Sequence, residues 1–283
     1  MDHPRVLVAG NLVEDRASDG GWVPGGPALY AARMAHALGA QVTLVTRKPV
    51  GYPAGALAGL ELRAVPAATA CRYANSYDGE GNRTQILLDP GEPLTVDEDP
   101  GMLVDALIVA PAYHELSGRP PIDARVMMAS LQGVLRSTDA TGRVVPAPDA
   151  IARAAPFAEP GAFACFSEED TANPDALARH LADARMTVAV TRGYRGVTLY
   201  EGEHRRDVAA LPADAIEPTG AGDCFASAWA VRFAETGDLH SACAFALAAG
   251  ALATERPGLA GVPTRAEVER RAALAEASRR DVA

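Results

Sequence analysis

Short apolar runs alternate with helical stretches along most of the chain: RVLVAG near the start, VTLVT after Gln41, ALIVA after Asp105 and TVAVT ending at Thr191. Four to six apolar residues without polar alternation suit a strand covered on both faces, and the intervening helical patterns supply the two covering layers. The pattern predicts an α/β fold with a mostly parallel central sheet. One region breaks the rhythm. From Leu62 to Leu88 the chain reads as extended segments with polar alternation, CRYANSY and RTQILL, joined through DGEGN, whose Asp78-Gly79 and Gly81-Asn82 pairs are turn chemistry. That predicts a hairpin exposed on one face, with the Gly-rich EDRASDGGWVP of 14–24 adding a strand to it. The expected organisation is one domain over 1–283 with a small β lid from about 12–24 and 62–90. The Pro-, Gly- and Asp-dense stretches DPGEPLTVDEDPG and TDATGRVVPAP read as loops, and TRAEVERRAALAEASRR from Thr264 as a closing amphipathic helix.

A chain of 283 residues that is 48% hydrophobic and 22% charged can bury a core of its own, which excludes disorder and fibrous classes. Its net charge of -10 and pI near 5.1 disfavour partners held by phosphate neutralisation, so neither nucleic acid nor an anionic membrane is expected. Lys48 is the sole lysine, and TRKPVG around it is not the GxxxxGK[ST] of a Walker-type loop. Cys71, Cys165, Cys224 and Cys243 have no CxxC spacing, which suits reduced thiols. MDHPRVLVAGN has no readable secretory signal and no apolar stretch reaches membrane-spanning length, so a cytoplasmic protein is expected.

The stretch that carries chemistry is AIEPTGAGDCFASAWAVRFAETGD, Ala215 to Asp238. Gly220, Ala221 and Gly222 have little or no side chain and stand before an apolar helical pattern. Backbone N–H groups at such a turn, at the positive end of a helix, form an anion site suited to a phosphoryl group in flight. Asp223 sits in the first helical turn, where the helix end favours the carboxylate, available to accept a proton or hold a hydroxyl in line.

EPTGAGDCF resembles the D-x-x-G-A-G-D signature of the ribokinase/PfkB family of carbohydrate and nucleoside kinases, with Glu217 at the first acidic position. The resemblance extends in order along the chain and implies a ribokinase-like three-layer sandwich with a β lid. GNLVED matches the family's strand-end glycine and acceptor-binding aspartate, giving Asn11 and Asp15 as substrate contacts. Gly25 and Gly26 match its double glycine, with Tyr30 where ribokinase-like members commonly carry asparagine. FSEED resembles the N-x-x-E element, which implies that Asp170 acts on magnesium through water. TRGYRG matches the T-x-G-x-x-G turn, implying Thr191, Arg192, Gly193 and Gly196 at the nucleotide, and the small-residue helix at Ala249 and Gly250, with Gly258 beyond it, resembles the adenine pocket.

The tyrosine after the double glycine, the CRYANSYDGEGNRTQ string and SLQGVLR resemble a compact branch that includes myo-inositol kinase-like proteins. In similar proteins Q-G-x-x-R lies at the acceptor cleft, so Gln132, Arg136 and Asn75 join the candidate substrate contacts. The family implies ATP and Mg2+ as cofactors and phosphorylation of a hydroxyl on a small polyol, with Asp223 as base. A nucleoside kinase remains open, with Tyr73 and Tyr77 as a slot for the base, as does a non-catalytic nucleotide- or metabolite-binding relative. Exposed strand edges in the lid suggest a homodimer.

Overall fold

A computed structural model describes residues 3–17, 19–77, 83–99 and 102–280, and the elements run in this order. They are β1 (Arg5–Ala9), β2 (Val13–Arg16), β3 (Trp22–Gly25), α1 (Pro27–Ala37), β4 (Gln41–Pro49), β5 (Glu61–Ala67), β6 (Cys71–Tyr77), β7 (Arg83–Asp89), β8 (Leu103–Val109) and β9 (Asp123–Ser130). There follow α2 (Gln132–Leu135), β10 (Arg136–Thr138), β11 (Val144–Pro146), α3 (Ala150–Ala154), β12 (Phe163–Ser167), α4 (Pro174–Asp183) and β13 (Thr187–Thr191). The last are β14 (Val197–Glu201), β15 (His204–Val208), α5 (Ala221–Thr236), α6 (Leu239–Ala253) and α7 (Arg265–Arg280).

The central sheet has the order β15-β14-β13-β12-β9-β8-β1-β4-β5, parallel from β13 to β5 and antiparallel across β13-β14 and β14-β15. The period of two along each strand divides its apolar residues between two cores. In β1, Val6 and Val8 face one core with Leu44, Ile108 and Trp229, beneath α1, α5 and α6. Leu7 and Ala9 face the other with Val45, Leu107 and Leu177, beneath α3 and α4. The α/β sandwich expected from the uninterrupted apolar runs is therefore what the chain forms.

A second sheet, β3-β2-β6-β7, stands off the first. Its strands β2 and β3 are antiparallel, β2 and β6 parallel, and β6 and β7 antiparallel. β5 is not part of it, although the lid was expected to begin near 62. Glu61 to Ala67 pairs with β4 at the edge of the central sheet, register Leu44 to Leu62. The Asp78-Gly79 and Gly81-Asn82 turn lies outside the described residues. TDATGRVVPAP, expected as a loop, contributes to a short hairpin in which Ser137 pairs with Val145.

Helix ends follow their chemistry. Asp238 caps α6 by accepting from the N–H groups of His240 (2.9 Å) and Ser241 (3.2 Å). Gly220, before α5, adopts a left-handed conformation with φ 80°.

Candidate active site

Where the strand ends of the central sheet meet the second sheet, one cleft collects most of the polar residues singled out above. Val13, Asp15, Gly26, Tyr73, Asn75 and Gln85 line its outer end, and Ser167, Asp170, Thr191, Thr219, Gly220, Gly222 and Asp223 its inner end. Tyr30, Ser130, Gln132 and Arg136 complete the lining.

The outer end is built by strand alternation. Val13 and Asp15 on β2 and Tyr73 and Asn75 on β6 share one face because each pair is two residues apart. Asn75 pairs with Gln85 across β6 and β7. A hydrogen-bond chain runs along this face: Gln85 Nε2 donates to Asn75 Oδ1 at 2.9 Å, and Asn75 Nδ2 donates to Asp15 Oδ1 at 3.0 Å. Gly25 leaves room for the Asp15 carboxylate, since a Cβ there would stand 2.3 Å from Asp15 Oδ2. The opposite face is wet, with Arg72 paired to Glu14 at 2.8 Å and Arg16 and Arg72 both over the Trp22 ring.

The inner end is the start of α5. A Cβ on Gly220 would lie 2.3 Å from Tyr30 Cδ1, so the Tyr30 ring is pressed against the turn. Ser227 Oγ donates to the Ala31 carbonyl at 2.8 Å and holds α1 against α5. Gly222, by contrast, has nothing within 4 Å of a Cβ and lines the cleft. Ala221 does not line it: its N–H donates to the Pro218 carbonyl at 3.1 Å and its side chain packs on the core. The open part of the turn is thus Gly220 and Gly222, with Asp223 one residue further into the helix.

Asp170 is buried in the cleft wall. Its carboxylate accepts from the Ser167 N–H at 2.7 Å in a capping box. Burial raises its pKa above the ordinary carboxylate value, against the opposing pull of Arg136 and this hydrogen bond. Among the described residues no group of three His, Cys, Asp or Glu side chains is gathered as a ready metal cage. Three carboxylates, those of Asp15, Asp170 and Asp223, line the cleft against the one guanidinium of Arg136 among the described residues. That donor set fits a divalent cation arriving with phosphate oxygens and its own waters.

Several expected contacts lie elsewhere. Asn11 is buried and structural: its N–H donates to Glu115 Oε1 at 2.7 Å and its Nδ2 to the Glu92 carbonyl at 2.7 Å. The Arg192 guanidinium turns away from the cleft, donating to Thr198 Oγ1 (2.7 Å) and pairing with Glu168 (3.1 Å) and Asp175. Gly196 (φ 104°) serves backbone packing, since a Cβ would sit 2.1 Å from the Val208 carbonyl oxygen. Gly193 (φ 56°) opens the same turn outside the cleft lining. Ala249 is fully buried in the core, and a Cβ on Gly250 would touch the Ala221 carbonyl at 3.5 Å, so both serve the contact of α6 with α5. Gly258 donates its N–H to Glu217 Oε2 at 3.1 Å, a tie between two loops. Of the expected nucleotide residues only Thr191 lines the cleft. Gln85 and Ser130 were not anticipated; the pairing of RTQILL with CRYANSY was the signal for Gln85.

Residues 154–265 match the family described as pfkB family carbohydrate kinase. Over 81 residues the chain is 38% identical to ribokinase from Bacillus subtilis (strain 168), a stretch covering 28% of this chain and 28% of that protein. In fold it is similar to a pyrophosphate-dependent kinase in the ribokinase family, solved with a pyrophosphate analog and myo-inositol (TM-score 0.72, 16% identity, 93% of this chain and 99% of that one). It is also similar to Arabidopsis thaliana ribokinase complexed with ribose and ATP (TM-score 0.69, 16% identity, 96% and 99%). The resemblance to the ribokinase/PfkB family read from the GAGD motif is thus matched over residues 154–265, which include that motif, and the fold is ribokinase-like.

Proposed function

We propose that this chain transfers a phosphoryl group from a phosphoanhydride donor, in the first instance ATP, to a hydroxyl of a small polyol such as a sugar or cyclitol. One observation carries the reading: Asp223 and the open turn at Gly220 and Gly222 share a cleft with the Gln85-Asn75-Asp15 chain. Vicinal hydroxyls donate to the Asp15 carboxylate and bond the amides of Asn75 and Gln85. The hydroxyl nearest Asp223 is held in line, and its proton passes to that carboxylate as the new bond to phosphorus forms. The first-turn N–H groups of α5 meet the charge on the phosphoryl oxygens. Asp170 would hold magnesium through water, and the ion would supply positive charge to offset that of the donor phosphates. The second sheet acts as a lid that excludes water and so limits wasteful hydrolysis of the donor. We place the reaction in the cytoplasm; among the described residues no helix is long and apolar enough to cross a membrane.

Two observations bear on the alternatives. The Tyr73 ring already carries the Arg136 guanidinium at 5.6 Å and its hydroxyl donates to the Ala112 carbonyl at 2.9 Å, which favours a polyol over a nucleoside base at that wall. Ala249, Gly250 and Gly258 stand outside the cleft lining, which gives inorganic pyrophosphate weight as a second donor, the donor named for one structural neighbour.

The test is product formation with MgATP and with magnesium pyrophosphate, each against cyclitols, pentoses, hexoses, sugar acids and nucleosides. Acceptor-dependent ADP or phosphate release is expected, reduced about 10²- to 10⁴-fold in Asp223→Asn, the range for loss of a general base. Near-normal turnover in that variant sinks the base assignment. Tight donor binding without acceptor-dependent release across the panel favours the binding-only relative.

A further inference from the structure

Arg136 opens β10 directly after the single turn of α2, and its side chain stands in the cleft wall at only 8% exposure. A guanidinium keeps its charge at any working pH, and burying a charge without a counter-ion is strongly unfavourable. Arg136 nevertheless makes no ion pair within 4.0 Å among the described residues. Its guanidinium lies over the Tyr73 ring at 5.6 Å. The Asp170 and Asp223 carboxylates act on it at longer range, and with Tyr73 they outweigh burial in favouring its charged form.

Its place in the cleft wall gives this charge a use. Tyr73 belongs to the polyol end, and Asp170 and Asp223 to the end where the α5 turn opens. A phosphoryl group entering there meets the carboxylates of Asp170 and Asp223 and, among the described residues lining the cleft, one cationic side chain. Helix-end amides offer it partial charges only.

We propose that Arg136 binds the transferred phosphoryl group itself, donating to its non-bridging oxygens during transfer, in place of the acceptor contact expected from its sequence motif. This rests on the phosphotransferase reading above. The donor's P–O bond breaks and its electron pair leaves with the departing phosphate chain. The acceptor oxygen bonds phosphorus and its proton goes to Asp223, while Arg136 holds charge that neither the acceptor nor the leaving group carries away.

Steady-state kinetics and anion binding of Arg136→Gln and Arg136→Lys test this. For Arg136→Gln we expect kcat to fall about 10²- to 10³-fold, the usual loss for one oxyanion donor, with the acceptor KM within about threefold of wild type. Arg136→Lys should fall between the two, because a point charge replaces the two-pronged donor. Calorimetric titration with inorganic pyrophosphate, without acceptor, should show at least about tenfold weaker binding to Arg136→Gln, by the loss of a charge-assisted bond. A raised acceptor KM with kcat and pyrophosphate affinity unchanged would overturn the proposal and return Arg136 to the acceptor. Wild-type protein that binds pyrophosphate through Arg136 but phosphorylates no acceptor would defeat the kinase reading and leave the anion contact standing. Should Arg136→Gln fail to fold, the same kcat, KM and titration criteria apply to Arg136→Lys.

Discussion

Two glycine turns dominate the sequence motifs, Thr219 to Gly222 at the start of α5 and Thr191 to Gly196 at the end of β13, and they use glycine for different ends. At the first, Gly222 lines the cleft and has nothing within 4 Å of a Cβ, so neither the chain's own packing nor its backbone conformation requires glycine there. At the second, Gly196 is crowded by the chain itself, with the Val208 carbonyl oxygen 2.1 Å from a Cβ, and Arg192 is held by Glu168, Asp175 and Thr198. A glycine motif thus reports a place where a side chain is excluded. Whether the excluder is a ligand or the fold shows only in the neighbours.

Gly222→Ala breaks the comparison most sharply. Alanine inside a helix is favoured over glycine by about 0.5–1 kcal/mol, so the variant should be more stable, by about 1–2 °C in Tm. Its methyl group would occupy the space proposed for the phosphoryl oxygens, and turnover should fall about 100-fold, the cost of misplacing a reacting group by about 1 Å. Full activity in a stabilised variant would show that nothing approaches that surface.

Gly196→Ala should do the reverse. With φ at 104° and backbone atoms on every side, the substitution should destabilise the fold by about 1–3 kcal/mol. Turnover per folded molecule should stay close to wild type. Differential scanning calorimetry and active-site titration separate the two effects.

Arg192→Gln addresses the side chain for which family likeness and geometry disagree. Its ion pairs with Glu168 and Asp175 are partly exposed, so their loss should cost no more than about 1 kcal/mol. The donor KM should not change. A tenfold rise in donor KM would mean that the guanidinium leaves this network to meet the nucleotide.

What could be read from the sequence follows the same division between chain and ligand. The runs that became β1, β4, β8 and β13 were legible because strands covered on both faces need unbroken apolar residues, and the alternation between faces is hidden inside them as Leu7 and Val8 facing different cores. β5 was misassigned to the lid for a physical reason. As an edge strand it is exposed along Glu61 to Pro66, which gives it the polar composition of a lid strand. Asp15, Asp223 and Gly222 were singled out from the family likeness and the Gly-rich helix start, and all three line one cleft. Ala249 and Gly250 were not distinguishable, since small residues serve a tight helix contact and a ligand pocket equally well.

The smallest expected effect separates the two regions by pH. His114 stands behind the cleft wall, with its Nε2 2.7 Å from the Arg136 carbonyl, and burial, aided by the Arg153 charge, lowers its pKa below 6.5. Because the unfolded chain then binds the proton more readily, the neutral ring's contribution is fully present above pH 6.5 and is lost as pH falls below it. Glu168 and Asp175, beside the second turn, have pKa values lowered from 4.5 and 3.8: for Glu168, bonds from Arg195 and Arg192 outweigh burial, and for Asp175, bonds from Tyr200 and Arg192 do. Their contribution persists down to those values and fades only below them. Thermal melts between pH 7.5 and 5.5 should therefore lose stability through His114, while Asp170, whose raised pKa makes the folded chain bind a proton more readily, acts in the opposite direction. His114→Asn should flatten that slope, and asparagine tolerates the positive φ of 58° at this position. An unchanged slope in His114→Asn would mean that another group titrates there.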